Sequence, residues 1–231
     1  MSGRAPPCPS IVFTGQFIFN GNIPRLIEYM MYLASADASK RGFGYDFMKS
    51  NNTAWVISRF SIIFEKPLQH GEAVNIKTFP RGTDGLFYYR AFEIMDIDGN
   101  ELANAESSWL IIDIDTRMPL RNSLNSPQAV DDFTKPPRLK IPGDTVEREG
   151  IIDVNESHID MNGHVNNVNY IEWMLGDNKT GNIESMTINY KSECFNGDRL
   201  ELNRKEEGEK TLMALRRMGD NRVVALSEIV F

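Results

Sequence analysis

Cysteine is scarce in this 231-residue chain: Cys8 and Cys194 are too few and too far apart for a disulfide framework or a zinc-ligand spacing. A reducing, cytoplasmic compartment is therefore the expectation, with no metal or other cofactor. Long apolar runs are missing as well. Nothing approaches the roughly 18 consecutive apolar residues of a membrane helix, and the opening MSGRAPPCPS has no apolar core of a secretory signal. Positive charge is in the minority, with 25 Lys and Arg against 32 Asp and Glu and a formal net charge of −7. That balance excludes general nucleic-acid binding, which needs a dominant basic face to displace counterions from phosphates. It leaves room for a local basic patch facing one acidic partner.

What the sequence does contain is a pattern stated twice. Between Asn20 and Gly42 the spacing predicts a helix of about 17 residues. Pro24 suits its first turn, Leu26, Ile27, Met30, Met31, Leu33 and Ala34 form one apolar stripe, and Gly42 can end it. Strand-like runs follow from Trp55 to Phe64, Ala73 to Phe79, Leu86 to Ile97 and Leu102 to Asp113, the last two joined by a turn at Asp98-Gly99-Asn100. One antiparallel sheet wrapping one long helix is the hotdog arrangement. From Asn122 the pattern lapses into Ser, Asp and Pro, which reads as a linker over 122–149 between units at 1–121 and 150–231.

Beyond the linker, FNGNIPRLIEY from Phe19 is echoed by MNGHVNNVNYIEW from Met161, and SIIFEKPLQHGE from Ser61 by TINYKSECFNGD from Thr187. The expected fold is α+β, a tandem hotdog whose two antiparallel sheets, each around one helix, run on as one continuous sheet. The first echo is displaced by 142 positions and the second by 126, so the second helix or its connector should be 16 residues shorter. Strands from Thr211 to Arg217 and Val223 to Phe231, with a turn at Gly219-Asp220-Asn221, complete the second unit.

The densest polar cluster runs from His158 to Trp173. Asp160, Asn162 and His164 occupy alternate positions there, and an extended backbone would point all three to one face. A helix starting near Val165 would aim unpaired N–H groups at a developing oxyanion. His164 then suits general-base work or the orientation of water, Asn162 a donor to the carbonyl, and Asp160 the fixing of both. The same residues also fit a capped turn. Asymmetry between the halves favours chemistry: Asn22 stands where the second unit has His164, Ile18 for Asp160, and Pro67 for Glu193. Glu193 is placed on the strand after the second helix as a base near water. Cys194 beside it is read first as a small buried hydrophobe and only second as a nucleophile.

The stretch DMNGHVNNVNYI, Asp160 to Ile171, resembles the D-x-N-x-H-V-N-N-x-x-Y-I stretch of plant and bacterial acyl-acyl carrier protein thioesterases. Similar stretches are AWVISRFSIIFEKP from Ala54, GEAVNIKTFP from Gly71, GLFYYRAFEI from Gly85 and SSWLIIDIDTRMP from Ser107. The resemblance implies hydrolysis of a fatty acyl thioester on the phosphopantetheine arm of an acyl carrier protein, in fatty acid biosynthesis. It implies a catalytic set of Asp160, Asn162, His164 and Glu193, with Cys194 at the position of an alternative nucleophile. The segment GDNKTGNIE, Gly176 to Glu184, is compressed relative to the family.

The resemblance also implies an acyl tunnel in the first unit, for which Trp55, Met30 and Met31 are the pocket candidates, with core packing as the other reading. An acidic carrier calls for a cationic surface, to which Arg199, Arg204, Lys205, Lys210, Arg216 and Arg217 are assigned, against a solvated strand face. Homodimerisation is optional for a tandem chain. Acyl-CoA hydrolysis and non-catalytic acyl binding remain the alternatives, because the motifs do not distinguish coenzyme A from a carrier protein.

Overall fold

The computed structural model describes residues 12–121, 124, 133–141, 147–177 and 183–231. Cys8, most of 122–132 and the centre of the compressed segment, 178–182, lie outside the described residues.

The first unit comprises β1 (Phe13–Ile18), α1 (Ile23–Lys40), α2 (Tyr45–Ser50), β2 (Thr53–Phe64), β3 (Ala73–Asp84), β4 (Phe87–Met95), β5 (Glu101–Asp113) and the two-residue β6 (Pro119–Leu120). The second comprises β7 (Glu147–Asp153), α3 (Asn167–Leu175), β8 (Ser185–Tyr190), β9 (Arg199–Glu207), β10 (Lys210–Arg217) and β11 (Arg222–Val230). Of these, β1, α2, β7 and β9 carry no pattern strong enough to have been read from sequence, and β7 begins at Glu147, inside the stretch read as linker.

The helix expected at Asn20–Gly42 is α1. Asn22 caps it by accepting from Arg25 N at 3.0 Å, and Pro24 sits in its first turn, where no intrahelical donor is lost. Its stripe of Leu26, Ile27, Met30 and Leu33 is at most 2% exposed. Burial of each such side chain contributes roughly 1.5–3 kcal/mol. The helix α3 has nine residues against 18 in α1. It starts two positions later than the echo requires. Val165 forms an isolated antiparallel bridge with Ile159, and Asn166 takes ψ 134° as the N-cap, so the helix begins only after it.

Among the described residues the strands form one antiparallel sheet in the order β1-β3-β4-β5-β2-β8-β11-β10-β9-β7, with β6 appended to β5. The sheet wraps α1 in one half and α3 in the other, and buried side chains of both helices join one core cluster. This is the tandem hotdog. The halves join where β2 pairs with β8, and the register puts Ser61 opposite Thr187. These two positions open the second sequence echo, and their hydroxyls share a 3.0 Å hydrogen bond at the centre of the junction.

The described stretch of the linker, residues 133–141, is tied to the sheet. Phe133 packs edge-on to Tyr89 at 5.3 Å, Arg59 donates to Pro136 O at 3.0 Å, and Asn189 donates to Pro137 O at 3.0 Å while accepting from Leu139 N at 2.9 Å.

Candidate active site

Asp160 to His164 form a tight turn rather than an extended segment. Asp160 N donates to His164 O at 2.7 Å, and Asp160 Oδ1 accepts the N–H groups of Asn162 and His164 at 2.8 and 3.2 Å. An aspartate can satisfy two amides in this way because its carboxylate presents several acceptor sites. Gly163 takes φ +82° at the turn, as Gly21 takes +80° at the equivalent turn before α1. Asp160 therefore holds the backbone that carries His164. Asn162 is exposed, its side-chain amide 3.4 Å from Asp160 Oδ2.

At the start of α3 several amides are already engaged. Besides the amides of Val165 and Asn166, that of Val168 is taken by Asn166 Oδ1 at 3.2 Å. His158 stands apart from His164: its Nδ1 accepts from Asn155 N at 3.1 Å and its ring meets Trp173 edge-on.

Glu193 lies in the loop after β8, not on a strand, and this loop brings it to the turn. His164 Nε2 stands 3.8 Å from Glu193 Oε2, too far for a direct hydrogen bond and near enough for both to reach one water. The imidazole packs edge-on to Phe195, 5.2 Å between centroids. Thus the structure brings together Asp160, His164 and Glu193, with Asn162 at the rim.

Two arginines complete the arrangement. Arg117 Nη2 pairs with Glu193 Oε1, leaving Oε2 towards His164. Arg117 comes from the first half, from a loop built by Asp113, which accepts from Thr116 N and Oγ1 at 2.8 Å each. Its φ is +56°, an unusual value for a non-glycine residue. The Asp-x-x-Thr-Arg loop was visible in sequence, but nothing local links it to a residue 76 positions away.

Arg217, assigned from sequence to a carrier patch, is tied to carboxylates and to the loop of Glu193. It donates to Glu193 O at 3.1 Å, to Asp198 at 3.4 Å, and through two nitrogens to Asp220 at 2.9 and 3.1 Å. Those bonds hold its guanidinium above the usual range and draw the Asp220 carboxyl down to about 2. Arg217 thus anchors the loop carrying Glu193.

Cys194 is fully buried, and burial pushes its thiol up to about 11, partly offset by a hydrogen bond with Tyr170. A thiol so placed is on the order of 10⁻⁴ ionised at neutral pH. In a Cys8→Ser protein, Cys194 is expected to resist Ellman's reagent at pH 8 until denaturant is added. Cys194→Ala should retain turnover within roughly tenfold, as steady-state kinetics would register.

The remaining assignments separate. Met30 is fully buried in the main core and Met31 packs against it. Trp55 belongs to a second cluster with Met48, Tyr88 and Ile111, its indole N–H donating to Phe43 O at 3.0 Å. The three thus fall in two different core clusters. Of the six cations assigned to a carrier patch, Arg199, Arg204, Lys205 and Lys210 pair with carboxylates. Arg199 pairs with Asp153, Arg204 with Glu149 and Glu206, Lys205 with Glu207, and Lys210 with Glu228. Carboxylates on neighbouring strands pair with Arg199, Arg204 and Lys210, and carboxylates two residues on in the same strand pair with Arg204 and Lys205.

Fold and site define a tandem hotdog protein with a carboxylate–imidazole pair, Glu193 and His164, in its second unit. The family model described as acyl-ACP thioesterase N-terminal domain matches residues 16–123, and that described as acyl-ACP thioesterase C-terminal domain matches 144–228. The chain belongs to the acyl-ACP thioesterase family. It is similar to the chloroplastic palmitoyl-acyl carrier protein thioesterase of Arabidopsis thaliana, 28% identical over 64% of this chain and 40% of the relative. It is similar also to the chloroplastic oleoyl-acyl carrier protein thioesterase of Coriandrum sativum, 26% identical over 65% of this chain and 47% of the relative. The chain spans less than half the length of these curated relatives. An acyl-ACP thioesterase structure from Bacteroides thetaiotaomicron is 27% identical with a TM-score of 0.83, covering 95% of this chain and 97% of that one. The 12:0-ACP thioesterase of Umbellularia californica, 19% identical with a TM-score of 0.79 over 95% and 96%, shares the fold.

Proposed function

We propose that this protein hydrolyses the thioester of fatty acyl-acyl carrier protein, releasing a free fatty acid in fatty acid biosynthesis. The observation that carries the reading is the facing of His164 Nε2 and Glu193 Oε2 at 3.8 Å on a turn fixed by Asp160, in a family of acyl-carrier thioesterases. A water between the two is the nucleophile. It passes one proton to the carboxylate–imidazole pair and adds to the thioester carbonyl. The C–S bond then breaks, and the departing thiolate takes up the proton. The Asn162 side-chain amide donates to the carbonyl oxygen as it gains charge. Attack by Cys194 is disfavoured by its burial and raised pKa.

The test is thiol release from acyl-carrier thioesters of several chain lengths, compared with the matching acyl-CoA, with the His164→Ala protein as control. Turnover of the carrier thioesters that vanishes in the control establishes the reading. Fatty-acid binding without turnover overturns it.

Arg117→Ala is expected to lower kcat on the order of 10- to 10²-fold with little change in KM, because Glu193 loses the partner fixing its rotamer. Arg117→Lys should recover part of the loss in the same steady-state assay. A merely structural role would show as a lower melting temperature with kcat unchanged.

A further inference from the structure

An open groove of about 770 Å³ runs between the linker and the β10–β11 hairpin, lined by Arg138, Lys140, Lys191, Arg216 and Arg222 with Leu139, Ile141 and Val223 among them. Five cations and no carboxylate line it, in a chain whose net charge is −7. Arg222 has Asp220 at 3.7 Å and Arg216 donates to Asn221 O. Among the described residues no carboxylate pairs with Arg138, Lys140 or Lys191. Burial first, and then the nearby charges of Arg138 and Arg59, push the Lys191 ammonium below its usual range.

We propose that this groove is the docking surface for the acidic face of the acyl carrier protein. The proposal rests on the thioesterase reading above for the identity of the partner. Its position fits: Lys191 precedes Glu193 by two residues on one loop, and Arg216 precedes Arg217, which holds the Glu193 carbonyl at 3.1 Å. A partner seated there is anchored to the same backbone that carries the candidate base. The cations come from three separate segments and alternate with apolar side chains, Ile141 being 58% exposed. That spread matches a protein surface carrying several carboxylates better than a single phosphate, which converging donors would enclose. Of the six cations assigned from sequence, only Arg216 lines the groove.

The experiment pairs Arg138→Glu/Lys140→Glu with Lys191→Glu in the full chain. Binding of holo-acyl carrier protein is measured by titration, and kinetics are measured on acyl-carrier and acyl-pantetheine thioesters of the same chain length. Each variant is expected to weaken holo-carrier binding and raise KM for the carrier thioester at least tenfold. Acyl-pantetheine turnover should stay unchanged, and the salt dependence of wild-type binding should flatten in the variants. Unaltered carrier binding in both variants overturns the proposal. So does an effect confined to acyl-CoA and to competition by inorganic phosphate, which reassigns the groove to a phosphate. A wild-type protein that binds holo-carrier through these residues but cleaves no thioester supports the docking surface while defeating the catalytic reading.

Discussion

Replacing His164 or Glu193 by alanine is expected to lower turnover of an acyl-carrier thioester by on the order of 10² to 10⁴ without unfolding the protein. The magnitude follows from the role: each side chain contributes to activating one water, which is the usual reach of general acid–base catalysis. The two are a quarter and a third exposed, so truncation leaves no large cavity and stability should change little. Because both act on the same water, the double variant should lose little more than the worse single one. Losses that multiplied would mean independent roles. Equal kcat in wild type and variants, with circular dichroism unchanged, would remove the site from consideration.

The largest stability effect is expected at Asp37. Its carboxylate, 1% exposed, accepts Arg90 Nη2 at 2.7 Å and Arg41 Nε at 2.9 Å, and Arg90 is itself only 11% exposed. Burial presses the Arg90 guanidinium towards its neutral form, and the Asp37 contact opposes that. Asp37→Ala strands a buried cation and should cost about 3–5 kcal/mol in a urea titration. Replacing both partners, as in Asp37→Leu with Arg90→Met, should restore most of that stability. If the double variant is as weak as the single, the cost arises from packing around α1 and not from the uncompensated charge.

Asp37 also shows where sequence reading runs out. It lies three residues after Ala34, on the continuation of the apolar stripe of α1. A helical-period reading treats it as the end of the buried face, because its partner Arg90 is 53 positions away. The tandem fold, by contrast, was legible, since periodicity and a repeated phrase are local. Asp160, Asn162, His164 and Glu193 were nameable by type and resemblance, but their geometry was not. Alternation suggested a strand where the Asp160 carboxylate, satisfying two amides, closes a turn. The roles of Arg117 and of Arg217, the latter assigned from sequence to a carrier patch, depend on register and loop closure across 76 and 24 positions and so were not legible. The cationic groove escaped for the same reason: its charges are scattered in sequence and meet only when the linker is laid across the sheet.

The hydrogen bond between Ser61 and Thr187 lies where the pseudo-twofold axis crosses the sheet, so corresponding positions of the two units meet there face to face. In a dimer of identical subunits any change at such a centre, or at a site distant from it, is imposed on both copies together. Covalent linkage lifts that constraint. The unit carrying Asn22 is free to differ from the one carrying His164, and it contributes Arg117 to its neighbour instead of duplicating the chemistry. Broken symmetry thus lets one active centre draw on two divergent halves. A fragment containing either half alone lacks part of the machinery, however well it folds.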